Sequence, residues 1–198
     1  MTTELGSKGL GGNGLGINRK EHWLKYMRTT NQTIVGLILA GGQGSRMGGQ
    51  DKGLVVWQGN TLIEHTFSVL APQVSRIIIS ANRNHSEYGR FGVPVVSDED
   101  LVFNGPIAGI ISAIRHLTNI SSLEKPTAIL VTPCDTPNIP SDLAARLFAD
   151  QLREQSDVSV AFDGERMQNL HCLIRDQAWE NLLDFYAQGN LALRDWFK

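Results

Sequence analysis

The sequence predicts an α/β protein in which helices cover both faces of a mostly parallel sheet, a Rossmann-like three-layer sandwich. Three observations predict it. Apolar runs of strand length alternate with segments of helical period. The first run, Thr33–Ala40 (TIVGLILA), is almost continuously apolar, as a parallel strand covered on both faces must be. That run also opens directly into a glycine-rich loop.

The remaining elements follow in order. Asn60 and Thr61 precede Leu62, Ile63, Thr66, Phe67 and Leu70, and Thr61 with Glu64 has the spacing of a capping box, so a helix starts there. Arg76–Ser80 (RIIIS) is the next buried strand, and Val93–Val96 another. Ile107, Ile110, Ile111, Ile114 and Leu117 share one helical face, with Pro106 in a first-turn position that tolerates proline. Thr127–Thr132 (TAILVT) reads as the central strand, ending at Pro133-Cys134-Asp135-Thr136-Pro137. Ser141 is the expected cap of a helix carrying Leu143, Ala144, Leu147 and Phe148. Val158, Val160 and Phe162 alternate as in a strand with one less buried face, and Asp163-Gly164 supplies the turn after it. A last strand is expected at Asn169–Ile174, then a helix through Trp179, Leu182, Leu183 and Tyr186.

Composition narrows the function. The chain has 198 residues, 18 Lys+Arg against 20 Asp+Glu and a net charge of -2, which gives no electrostatic reason to expect nucleic acid or an anionic membrane surface as partner. No apolar run approaches the roughly 20 residues of a membrane span, and no secretory leader is visible. Cys134 and Cys172 form neither a disulfide framework nor a zinc spacing. A cytoplasmic protein is expected. Residues 1–32 are glycine-rich and polar, and are expected to be a flexible extension preceding one domain over 33–198. Gly12-Asn13-Gly14 is no dinucleotide loop, because no strand precedes it.

Chemistry concentrates in Leu39–Gly53 (LAGGQGSRMGGQDKG). Glycines after a strand let backbone N–H groups converge on an anion, and Arg46 and Lys52 add positive charge. Arg46 can fork onto two phosphate oxygens, while Lys52 is a point charge on a flexible stem. The loop is not a Walker motif, for no GKS or GKT follows. Gly42, Gly44 and Gly48 give GxGxxxG rather than the dinucleotide spacing. In open parallel sheets ligands sit beyond the carboxyl ends of the strands, where Asp98 and Asp135 fall by this reading. Pro133 and Pro137 flank Asp135, whose carboxylate suits a hard cation such as Mg²⁺; Asp98 suits either a metal or a nucleobase or ribose. Cys134, Cys172 and His171 read as strand residues, and Trp57, Trp179 and Trp196 as packing residues.

Taken together, the loop, Ser80-Ala81-Asn82-Arg83, Ser97-Asp98, Asn104–Gly109 (NGPIAG) and Pro133–Pro140 (PCDTPNIP) closely resemble the signature of the molybdenum cofactor guanylyltransferases, in the nucleotidyltransferase superfamily. The resemblance implies a fold of the nucleotide-diphospho-sugar transferase type. It implies that GMP passes from GTP to molybdenum-molybdopterin, giving the guanine dinucleotide cofactor and pyrophosphate, with Mg²⁺ as cofactor. It further implies that Leu39, Ala40, Gly41 and Gly42 contact the nucleotide through the backbone, that Lys52 and Asp98 bind GTP, and that Asp135 holds Mg²⁺ and nucleotide. Lys52, Arg46 and Asp135 then form the catalytic set. Ser80 stands where the family commonly has asparagine, and its hydroxyl is a poorer partner for a base; Asn82 compensates only if the loop shifts. Molybdenum insertion proteins and molybdoenzyme chaperones are the implied partners. Family members continue into a strand of the form N.NTPE, whereas this sequence stops at Lys198, so a domain truncated at its C-terminal end is expected.

Two alternatives stand beside this reading. One is a nucleotidyltransferase using CTP or a sugar phosphate, which commonly has proline before the loop lysine where this chain has Asp51. The other is a non-catalytic nucleotide- or cofactor-binding protein.

Overall fold

A computed structural model describes residues 32–40, 50–98, 105–120 and 125–198. The expected extension at the N-terminus and the glycine loop proper therefore lie outside the described residues, Arg46, Gly41 and Gly42 among them.

The sheet is built from β1 (Ile34–Leu39), β4 (Arg76–Ser80), β5 (Val95–Val96), β6 (Ala128–Pro133), β7 (Val158–Phe162) and β8 (Met167–Arg175), in the order β5-β4-β1-β6-β8-β7. β5, β4, β1 and β6 run parallel, while β8 pairs antiparallel with both β6 and β7. A small antiparallel hairpin, β2 (Val56–Trp57) with β3 (Asn60–Thr61), stands apart from it. β1 and β6 are central, which is why their residues are apolar almost throughout.

Successive side chains of a strand point to opposite faces, and here each face meets its own helices. Ile34 and Ile38 of β1, Ile77 and Ile79 of β4 and Leu130 of β6 join one core with α1 (Leu62–Leu70), α2 (His85–Gly89) and α4 (Leu143–Glu154). Val35 and Leu37, Ile78, Ile129 and Val131 join the other, with α3 (Pro106–Asn119) and α5 (Trp179–Ala187). α6 (Leu193–Trp196) adds Leu193 to this second core. Each isoleucine buried to this extent contributes about 1.5–3 kcal/mol, so the double-sided pattern of β1 accounts for its position in the middle.

α1 begins at the expected capping box: Thr61 accepts from the Glu64 amide, and Glu64 accepts from the Thr61 amide at 2.6 Å. α3 starts at Pro106 as expected. Two expectations are corrected. β5 is two residues long rather than spanning Val93–Val96, because Pro94 has no N–H to donate to the ladder. Ser141 does not cap α4. The helix starts at Leu143 without a local side-chain cap, and the Ala144 amide is instead satisfied by Gln73 Oε1 at 3.1 Å. The Gln73 amide also donates to the Val69 and Pro140 carbonyls, so one buried side chain closes α1 and opens α4. No helix among the described residues is long and apolar enough to cross a membrane.

Candidate functional site

The parallel ladder carries on past the strand ends. Ala40 N donates to Ser80 O at 2.8 Å, Cys134 N to Leu39 O at 3.0 Å and Ala81 N to Val96 O at 2.9 Å. These bonds hold four strand exits in register, so the residues that follow share one edge. A cleft of about 410 Å³ opens there. Leu39, Ala40 and Ser80 form part of its wall, with Asn82 and Asp98 at one side and Lys52 and Asp135 also lining it. Gly105, Pro106 and Gly109 bring the N-terminal turn of α3 to the same cleft. The volume is that of a small-molecule pocket.

Lys52 and Asp135 meet across the cleft: Nζ donates to Oδ2 at 3.1 Å, with the two side chains 44% and 37% exposed. At this exposure the pair is exchangeable, since surface ion pairs contribute only about 0–1 kcal/mol. Both ends are well founded. Lys52 opens a 3₁₀ turn, Lys52–Leu54, whose cap is the Asp51 carboxylate. Asp135 leaves β6 at Pro133, and the Cys134 carbonyl before it accepts from the buried Thr66 hydroxyl of α1 at 3.2 Å.

Asp98 is held differently. Asn82 Nδ2 donates to Asp98 Oδ2 at 2.7 Å, and the Asp98 amide donates back to Asn82 Oδ1 at 2.8 Å. Burial pushes the Asp98 carboxyl above its ordinary range, and the Asn82 bond partly opposes that. Its Oδ1 is buried without a partner among the described residues. An acceptor in that condition suits a ligand N–H donor, such as the edge of a purine. Asn82 lines the cleft, while Ser80 is 2% exposed and tucked against Gly109, where an added Cβ would stand 3.2 Å from Ser80 Cβ.

Asp135 is the exposed carboxylate that lines the cleft. Among the described residues no three His, Cys, Asp or Glu side chains gather into a site of their own. One open carboxylate at a cleft is nonetheless the donor set Mg²⁺ uses when phosphate oxygens and water complete its shell. Cys134 is 5% exposed and its thiol is pushed up to about 12 by burial and by Asp135 and Asp51, so it is no nucleophile. Burial also raises the Cys172 thiol. His171 is a β8 residue whose ring is pushed toward the neutral form by burial, against the opposing pull of Asp135. Trp179 is a core residue as expected, but Trp57 is 37% exposed on the hairpin, with its ring edge-on to His65 at 5.0 Å between centroids.

The residue that sequence reasoning missed is Asp51. It is 6% exposed, and its carboxylate accepts from Gly53 N, Tyr88 Oη and Asn84 Nδ2 at 3.1, 2.6 and 2.8 Å. Its place immediately before Lys52 was the available signal; its partners at positions 84 and 88 carried none.

In open, mostly parallel sheets ligands bind in the crevice beyond the carboxyl ends of the strands, and the cleft of this α/β domain lies there. The chain belongs to the MobA-like NTP transferase domain family, whose model matches residues 36–198. It is 42% identical over 164 residues to the molybdenum cofactor guanylyltransferase of Shewanella sp. strain MR-4, covering 83% of this chain and 80% of that protein. To the protein of the same name from Haemophilus influenzae it is 41% identical over 166 residues, covering 84% and 83%. Among solved structures it resembles the molybdopterin-guanine dinucleotide biosynthesis protein A of Archaeoglobus fulgidus, with a TM-score of 0.63 at 20% identity, over 80% of this chain and 76% of that one. That likeness supports the fold, a nucleotide-diphospho-sugar transferase type.

Proposed function

We propose that this chain transfers GMP from GTP to the terminal phosphate of molybdenum-molybdopterin, giving the guanine dinucleotide form of the cofactor and pyrophosphate. The observation that carries this reading is 42% identity over 164 residues to a protein named molybdenum cofactor guanylyltransferase. The acceptor phosphate oxygen forms a bond to the α-phosphorus of GTP as the bond from that phosphorus to the bridging oxygen breaks, and pyrophosphate leaves with the electron pair. Every reacting group is anionic, so the work is alignment and charge neutralisation, and no covalent nucleophile is needed.

The protein's own residues divide that work. Under this proposal backbone contact with the nucleotide falls to Leu39, Ala40, Gly41 and Gly42, neutralisation of the charge gathering on the departing pyrophosphate to Lys52 and Arg46, and acceptance from the base to Asp98, with Asn82 orienting it. Ser80 shapes the wall behind. Asp135 would hold Mg²⁺, which would supply positive charge against that of the phosphates. In this reading triphosphate oxygens would take the place of Asp135 as the partner of Lys52, leaving the carboxylate available as a metal ligand. Handover of the product to molybdenum insertion proteins or molybdoenzyme chaperones belongs to the same proposal. Relatives at this identity do not favour a CTP- or sugar-phosphate-using enzyme, or a non-catalytic carrier.

The test is incubation with Mg²⁺, molybdenum-molybdopterin and either GTP or CTP, following pyrophosphate and the dinucleotide by chromatography. Transfer with GTP alone is expected. Equal transfer from CTP would replace the reading with the first alternative, and GTP binding without pyrophosphate release would replace it with the second.

A further inference from the structure

We propose that Asp51 is the positioning residue of Lys52, holding the backbone of that lysine so that its ammonium stands at the phosphate end of the cleft. The inference rests on the reading of Lys52 given above and adds a group that does not touch substrate. Burying a carboxylate to 6% exposure is costly unless hydrogen bonds repay it, and here both oxygens are engaged. Oδ1 accepts from the Gly53 amide at 3.1 Å and from the Tyr88 phenol at 2.6 Å. Oδ2 accepts from the Asn84 amide at 2.8 Å, with Arg83 Nε 3.6 Å away. Lys52 lies between the residue that owns this carboxylate and a residue bound to it, so its main chain is pinned on both sides.

Two local features serve that anchor. Asn84 has φ 54°, in the left-handed region, and from there its side chain reaches Asp51. A Cβ on Gly53 would stand 2.5 Å from Tyr88 Oη, so only glycine lets the phenol reach the carboxylate. Tyr88 is fully buried, which ties the anchor to the core rather than to the loop alone. A carboxylate capping the turn only to stabilise the fold would cost stability when lost and leave the Lys52-dependent rate untouched. The distinction is measurable.

The test is a double-mutant cycle on the full chain, using Asp51→Asn, Tyr88→Phe, Lys52→Ala and the two doubles with Lys52→Ala. It reads kcat and KM for GTP, with Mg²⁺-GTP affinity by calorimetry as a second readout and thermal unfolding as the fold control. Asp51→Asn keeps the shape but removes the charge and one of the two acceptor oxygens that Gly53 N, Tyr88 Oη and Asn84 Nδ2 share; Tyr88→Phe removes only Oη and keeps the ring, so it decides the matter should the first variant fail to fold. Each single change is expected to lower kcat/KM by about 10–100-fold, the cost of displacing a positioned group by a fraction of an ångström to an ångström. In the Lys52→Ala background each is expected to cost less than about 3-fold, because the group being positioned is gone. Losses that multiply undiminished in that background would overturn the inference while leaving the proposed function standing. Wild-type behaviour of Lys52→Ala would overturn the role of Lys52 and this inference with it, and a wild-type chain that neither binds GTP nor transfers GMP would overturn the functional reading itself.

Discussion

Substitution of Gly109 by alanine tests how tightly the cleft is tied to the core. Gly109 lies in the first turns of α3 and lines the cleft. An added Cβ would stand 3.0 Å from Leu39 Cδ2 and 3.2 Å from Ser80 Cβ, with Ser80 Oγ closer still. Alanine is intrinsically favoured over glycine inside a helix by about 1 kcal/mol, so an uncrowded site would be stabilised. Overpacking at these distances costs about 1–3 kcal/mol or more, since β1 and β4 behind the contact cannot retreat. The net expectation is a loss of up to about 2 kcal/mol, or a fall in melting temperature of up to about 8 °C for a domain of this size. GTP affinity should fall too, because α3 moves off the wall it shares with Ser80. Chemical denaturation and calorimetric GTP titration measure both. Adding Ser80→Ala removes the nearest atom, so the double variant should be more stable than Gly109→Ala alone. Simple additivity of the two changes, or wild-type stability and affinity in Gly109→Ala, would refute the packing argument.

Lys52→Ala and Asp135→Ala should each lower turnover by about two orders of magnitude or more, as loss of a single electrostatic stabiliser commonly does, and steady-state GMP transfer checks this. Asp98 gives two opposite pH trends. Its folded carboxyl titrates above the ordinary value of 3.8, so the native state binds the proton more tightly and its contribution to stability declines as pH rises from that value through the raised one. GTP affinity should do the reverse, falling as acid protonates the acceptor, and Asp98→Asn should remove both trends in paired melting and calorimetry series. Cys134, pushed up to about 12, should resist thiol reagents in the folded protein and react at an ordinary rate only in denaturant. At pH 8 a thiol at that value is thiolate in only about one molecule in 10⁴.

What the sequence reveals and what it conceals follows from the range of the interactions. The capping box at Thr61 and Glu64 is legible because both partners lie within one turn. The two-sided apolar strands are legible because burial on both faces removes the alternation that a half-exposed strand would show. The cap of α4 is not, since it comes from Gln73, 71 residues from the amide it satisfies. The antiparallel direction of β8 carries no local mark either. That Lys52, Asp98 and Asp135 lie at one cleft is legible from the glycine-rich loop and the strand ends, yet what holds them there is not. Asp51 looks like a loop acid until Tyr88 and Asn84, 37 and 33 residues away, arrive beside it. Trp57 misleads in the opposite sense, because its bulk signals burial while its two-residue strand leaves it at the surface.

Asp51 behind the cleft and Asp98 and Asp135 lining it show why one residue type needs three environments. Asp51 is buried and fully hydrogen-bonded, a condition in which a carboxylate is fixed and cannot be given to a ligand. Asp98 is half-buried with one oxygen on Asn82 and the other unpartnered among the described residues, so it is fixed in direction but still has an acceptor to offer. Asp135 is the most open, and its partner Lys52 is equally open. Such a pair is weak enough to separate when a stronger anion and a cation compete for its members, and yet while it lasts it leaves neither charge alone. Constraint by hydrogen bonding therefore decreases from Asp51, through Asp98, to Asp135. Were the Lys52–Asp135 pair buried like Asp51, breaking it would cost several kcal/mol, and that cost would be subtracted from nucleotide affinity. The half-exposed geometry keeps the lysine in place without making it a competitor of the substrate it is proposed to bind.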